Sequence, residues 1–311
     1  MPLSSNRPLI SFDWAIKRLL RQKANFGILE GFLSELLRQE ITVQSIPESE
    51  TNKAREGDKA SRVDILCENT KGELLLIELQ YYAELDFLHR MLFGASKLIT
   101  DYLKEGEPYG NVKKAFSINI VYFDLGQGED YVYYGKTEFT GLHHGDILRL
   151  SKTQKDKWAR ENLSQVFPEY YIIKVNNFDN RARDPLDEWI YYFKNNALPG
   201  EYGAKGLDKV EAQLKIDAMT IQERMDYEEH QKNLAISQSM LETAKWEGIA
   251  EGKREGKREG KREGKREGIT EAKRKFTMNL ITGTNFPNEQ IASLVGVDVA
   301  WVAEIRKQVA K

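Results

Sequence analysis

Cysteine is almost absent from this chain: Cys67 is the only one among 311 residues. A single thiol excludes an intrachain disulfide framework and a cysteine zinc cluster. Histidine is nearly as scarce, with four copies. Two of them, His143 and His144, are adjacent and would face opposite ways on a strand, a poor geometry for sharing a metal. No stretch approaches about 18 uninterrupted apolar residues, so a membrane-spanning helix is not expected. No N-terminal run has the basic, apolar and small-residue order of a signal peptide. A soluble cytoplasmic protein is the expectation. An excess of one charge is lacking too, with 46 Lys+Arg against 48 Asp+Glu. Any surface for a polyanion must therefore be a local patch. No glycine-rich run matches a phosphate-binding loop, and no Ser/His/Asp order stands out.

What is present is a hairpin pattern. Ser61-Arg62-Val63-Asp64-Ile65-Leu66 and Leu74-Leu75-Leu76-Ile77-Glu78-Leu79-Gln80 are short runs rich in Val, Ile and Leu, which predicts two strands. Between them, Glu68-Asn69-Thr70-Lys71-Gly72 reads as a turn, with Asn69 and Gly72 supplying permissive backbone. Asp64 and Glu78 are equidistant from Lys71. A hairpin centred there sets them opposite one another, with Cβ atoms roughly 4.5–5.5 Å apart. Alternation puts Glu78 and Gln80 on one face and Leu75, Ile77 and Leu79 on the other. A one-residue slip of register would undo the pairing.

Two opposed carboxylates suit Mg²⁺, which takes hard oxygen ligands along with waters and substrate phosphates. Such an ion polarises a phosphoryl oxygen and activates a water. The carbonyl of Leu79 is a candidate extra ligand. From spacing alone, a solvated hairpin whose outer face carries Asp, Glu and Gln is the simpler account, because alternating polar residues are common on antiparallel strands.

The run Val63-Asp64-Ile65 … Gly72-Glu73-Leu74-Leu75-Leu76-Ile77-Glu78-Leu79-Gln80 resembles the PD-(D/E)XK nuclease superfamily, and within it the bacterial recombination-promoting nuclease / transposase family, which carries an Ile-Glu-x-Gln strand end. Phe12-Asp13-Trp14-Ala15-Ile16-Lys17 is similar to that family's opening helix, with Ile16 in place of Phe. His89-Arg90-Met91-Leu92 with Tyr102, Ser117-Ile118-Asn119-Ile120 and the helix Asp187–Asn195 match further family segments. The resemblance covers residues from about 9 to 270 and reverses the order of the two accounts. It implies an α/β fold: a restriction-endonuclease-like core with a mixed sheet flanked by helices, plus a helical C-terminal extension. It also implies a metal-dependent DNA endonuclease with a role in recombination or transposition. Asp64 and Glu78 would bind Mg²⁺ or another divalent cation, Gln80 would be the third catalytic residue, and DNA would be the substrate.

Three departures stand out. The superfamily's usual Lys is replaced by Gln80, which carries no charge but can hydrogen-bond a water or phosphate. The Pro before Asp64 is absent. The extra acid of the first helix has two candidates, Asp13 and Glu30, and Asp13 could equally form an i,i+4 ion pair with Lys17. Arg90 reads as a solvated helix residue, with phosphate contact as the alternative. The rival reading of the whole is a non-catalytic DNA-binding or assembly protein that keeps the fold.

Four divisions follow from composition: a nuclease-like domain over 1–200, a helical extension over 201–250, a repeat linker over 251–268 and a small helical tail over 269–311. The stretch Gly252 to Glu267 is four copies of Gly-Lys-Arg-Glu. It reads as a solvated linker, or as a basic stalk along DNA or a partner helix. In the tail, Pro287 opens one helix, Gly296 ends it and Asp298 can cap the next. This has a helix–turn–helix look, but with few base-reading side chains, so packing or homo-oligomer formation is its expected role. One amphipathic helix after the hairpin is expected to bury Leu85, Leu88, Leu92, Ala95, Ile99 and Tyr102.

Overall fold

The structure, a computed structural model, describes residues 9–18, 23–46, 62–103 and 105–309. The polar, charged stretch from Ser45 to Ser61, which by its composition reads as a loop, falls largely outside the described residues. The chain divides into two compact units, Met1–Gln238 and Ser239–Lys311.

In the first unit a six-stranded mixed sheet has the order β1 (Val43–Ser45), β2 (Arg62–Asn69), β3 (Leu74–Gln80), β4 (Ala115–Val121), β6 (Glu169–Lys174), β5 (Val132–Gly135). The pairs β3/β4 and β4/β6 are parallel, and the other three are antiparallel. The β2–β3 hairpin closes as its turn residues predict. Asn69 Oδ1 accepts the N–H groups of Lys71 at 3.0 Å and Glu73 at 2.9 Å. Gly72 sits at φ +75°, a left-handed conformation that disfavours any residue with a Cβ.

Each face of the sheet is covered differently. Leu75, Ile77 and Leu79 join Phe116, Ile118, Ile120 and Ile173 in the main core. Against them pack α1 (Phe12–Arg18), α2 (Phe26–Leu37) and α5 (Pro185–Asn195). Helix α5 starts sharply because Asp184 caps it, accepting the Asp187 N–H at 2.9 Å, with Pro185 in the first turn. On the other face Leu66, Leu74, Leu76 and Ala115 lie under Leu98 of α3 (Phe87–Asp101).

Helix α3 corrects the expected stripe. Phe87, Ala95 and Leu98 are buried, whereas Leu85, Leu88 and Leu92 are exposed. The helix begins at Phe87, whose ring meets Phe123 at 5.5 Å. The second half of the expected stripe holds, with Ala95 buried and Ile99 and Tyr102 packed against the Leu98 cluster, while Phe87 takes the place of the Leu residues at the start. The apolar residues that recur at helical spacing between Leu9 and Gln39 fall on two helices, α1 and α2. Two further elements of the first unit had no clear signal, the three-residue β1 and α4 (Lys152–Trp158). Helix α6 (Leu207–Gln213) then packs against α2.

Helix α7 (Ile221–Gly283) passes from the first unit into the second and contains the whole Gly-Lys-Arg-Glu repeat, which is exposed throughout. In the second unit, α8 (Asn288–Val295) ends at Gly296 in the left-handed conformation. Asp298 Oδ1 accepts the Ala300 N–H at 2.8 Å at the head of α9 (Val299–Val309). Ile291, Ala292, Val295 and Val302 form a small core. No described helix is long and apolar enough to cross a membrane.

Candidate active site

The hairpin register sets Asp64 directly opposite Glu78, and Arg62 opposite Gln80. The side chain of Asp64 lies outside the described residues, but its strand position is defined. Glu78 and Gln80 are both buried, at 5% and 3% exposure. They occupy the α3 face of the sheet, at the C-terminal end of β3, because the intervening Leu79 is committed to the main core. Leu79, whose carbonyl was a candidate ligand, is flanked by Val63 on one side and Ile120 on the other.

Arg90 departs from its expected place as a solvated helix residue. Rather than being solvated, it reaches from the first turns of α3 back to the sheet. Its Nη2 donates to both Glu78 Oε1 and Gln80 Oε1, and its Nη1 to Glu84 Oε2. Its guanidinium also lies over the Phe87 ring, 5.2 Å from the centroid. Gln80 Nε2 donates to the Tyr82 carbonyl at 2.9 Å, which turns its Oε1 toward Arg90. Two oxygens of adjacent even-numbered residues thus converge on one cationic group. The only signal for this in the sequence was a basic residue in the helix that follows the hairpin.

The two candidates for the first-helix acid are both placed elsewhere. Asp13 is fully buried on α1, in the layer that packs on the opposite face of the sheet from Glu78. Its Oδ2 is 2.5 Å from His230 Nε2 on α7. Burial pushes its pKa up, but the hydrogen bond and charge of His230, then the Ser11 and Tyr81 hydroxyls, outweigh burial and hold it below 3.8. Lys17, the alternative partner of Asp13, has a side chain outside the described residues. Glu30 Oε1 accepts the Val43 N–H at 2.9 Å and so ties α2 to β1.

The Asp13 shift carries a stability prediction. A carboxyl whose folded pKa is depressed adds stability above its unfolded value, and that stability is lost as pH falls through the folded value. Asp13→Asn should therefore melt well below the wild type at neutral pH. The gap between the two melting temperatures should close as pH falls below 3.8. A gap independent of pH would show that the carboxylate charge is not what binds α7 to α1.

The donor set around Glu78 fits a hard divalent cation. It consists of carboxylate and amide oxygens, and a guanidinium already occupies the neighbourhood as a positive group. Among the described residues no group of three or more His, Cys, Asp or Glu side chains could hold a metal by itself. Asp64, opposite Glu78, is the acid that would complete the set.

A family model described as PD-(D/E)XK nuclease family transposase matches residues 10–244. Searches of curated proteins and of solved structures found no match. The match spans both strands of the hairpin, α3 and the whole sheet. With the mixed sheet flanked by helices, it settles the family: the chain belongs to the PD-(D/E)XK nuclease family transposases.

Proposed function

We propose that the chain is a divalent-cation-dependent DNA endonuclease that hydrolyses phosphodiester bonds and serves DNA recombination or transposition. The observation that carries this reading is the placement of Asp64 opposite Glu78, with Gln80 two residues on along the same face. Asp64 and Glu78 would hold the cation, Mg²⁺ in the cell. Bound there, it supplies Lewis-acid polarisation of the phosphate and a water of lowered pKa.

The other roles fall to the chain's own groups. Gln80 Oε1 can accept a hydrogen bond from the attacking water and so orient it. It replaces the Lys common in the superfamily, so the positive charge must come from elsewhere. Arg90 meets that need. Its guanidinium is held at Glu78 and Gln80. From there its planar donors could pair with a phosphate oxygen. The hydrolysis adds water to phosphorus and breaks one P–O ester bond.

Arg90→Ala should weaken DNA binding at every sequence alike. It should reduce the slope of log affinity against log salt by about 1, as expected for one phosphate contact. Fluorescence anisotropy with duplex DNA over a salt series measures both. An unchanged slope would return Arg90 to a purely structural role. The proposed function itself is tested by incubating supercoiled plasmid with the full chain and Mg²⁺ or Mn²⁺. Nicking that EDTA stops is the expected result. DNA binding without cleavage, and no heat of Mg²⁺ or Mn²⁺ binding, would favour a non-catalytic assembly protein on the same fold.

A further inference from the structure

Strand β4 carries a polar residue that no role so far explains. Asn119 is in register with Glu78 across the parallel β3–β4 pair. Its neighbours Ile118 and Ile120 enter the main core with Ile77 and Leu79, so Asn119 projects from the same face as Glu78. Adjacent strands lie roughly 4.7–4.9 Å apart, which places the two side chains within reach of one common ligand. Asn119 is 0% exposed.

The orientation of its amide is determined by its partners. Nδ2 donates to Ser117 Oγ at 3.0 Å and to the Tyr171 carbonyl at 3.2 Å. A carbonyl only accepts, so the nitrogen must face β6, which turns Oδ1 away from β6. That oxygen is buried and has no hydrogen-bond partner among the described residues. Buried acceptors are rarely left without a donor. A structural role accounts for the two Nδ2 bonds but leaves Oδ1 unexplained.

The surroundings narrow what would satisfy it. Glu78 and Gln80 present oxygens on the same face, and Arg90 donates to both of them. Arg90 Nε is also buried, with no acceptor among the described residues. An open acceptor on β4, beside Glu78, and an open donor on α3 suit a positive ion and an anionic oxygen. Amide carbonyl oxygens are ordinary ligands of hard divalent cations.

We propose that Asn119 is a further cation ligand, its Oδ1 completing the oxygen set that Glu78 and Asp64 begin. The inference rests on the nuclease reading of that site and adds a donor from a third strand. It makes β4 part of the active centre and explains why an Asn stands where an apolar residue would otherwise pack.

Calorimetric titration of the full chain with Mn²⁺ and with Mg²⁺ tests it without any cleavage assay. Asn119→Ala should weaken Mn²⁺ binding by about tenfold or more, the scale on which loss of a site partner is felt. Asn119→Asp, nearly isosteric and fully charged, should bind Mn²⁺ more tightly than the wild type. Should Asn119→Ala fail to fold, the Asp variant decides alone. Glu78→Gln serves as the reference. If it loses Mn²⁺ binding while both Asn119 variants keep the wild-type affinity, Asn119 is not a ligand and the site stands without it. A wild type that binds neither ion removes the nuclease reading and this inference together.

Discussion

Glu78→Gln is expected to lower cation-dependent DNA cleavage by about 10³-fold. A Lewis acid at a phosphoryl oxygen contributes several kcal/mol to the transition state, and each step of about 1.4 kcal/mol is a factor of ten in rate. The substitution keeps the side chain's volume and one carbonyl oxygen, so Arg90 retains an acceptor there as well as at Gln80 and Glu84. What it removes is the negative charge that competes for a divalent ion. The fold should survive, since the residue sits at the end of β3, on the face away from the main core. Single-turnover nicking of plasmid, with circular dichroism on the same preparation, separates loss of charge from loss of fold. Activity within tenfold of the wild type would show that Glu78 is not a ligand.

The largest stability effect is expected at Trp189, far from the chemistry. Its side chain is fully buried in α5. Its ring lies 6.2 Å from Phe12, 5.7 Å from Phe32 and 6.0 Å from Phe193. Its Nε1–H donates to the Lys205 carbonyl at 3.3 Å. Truncation to Ala opens a cavity at the junction of α1, α2 and α5 and strands that carbonyl. A loss of about 3–5 kcal/mol follows, the usual range for a buried Trp or Phe reduced to Ala. Urea unfolding followed by far-UV circular dichroism measures it. A loss under about 1 kcal/mol, typical of surface changes, would mean that this cluster does not hold the helical layer to the sheet.

The parts of the fold that were legible in the sequence are those set by local rules. The β2–β3 hairpin is the clearest case. Asn69 and Gly72 determine the turn, period-two alternation determines the faces, and together they determine the Asp64–Glu78 register. The caps at Gly296 and Asp298 are equally local. Long-range partners were not legible. Arg90 looks like any basic residue on an amphipathic helix until Phe87 anchors α3 and swings the guanidinium back over β3. Asn119 acquires meaning only when a crossover lays β4 beside β3. Asp13 invited a local pairing with Lys17 or a place in the site. Its observed hydrogen-bond partner is His230, from a helix that begins more than 200 residues later. The exposed Leu85, Leu88 and Leu92 show a related limit: the helical period holds for Ala95, Ile99 and Tyr102 but does not report that the helix starts only at Phe87.

Gln80 is where this chain departs most from the wider superfamily, and the structure gives that departure a physical setting. The Oε1 of the neutral amide accepts a hydrogen bond from the guanidinium of Arg90, ten residues on in the sequence. Charge lost at the third motif position is therefore present in the same neighbourhood on a different element.

The most direct measurement of the central claim is plasmid nicking in Mg²⁺ by the wild type and by Asp64→Ala, purified in parallel and matched for melting temperature. The wild type should nick the plasmid, EDTA should abolish the nicking, and Asp64→Ala should show none. Equal nicking by the two proteins would contradict that claim.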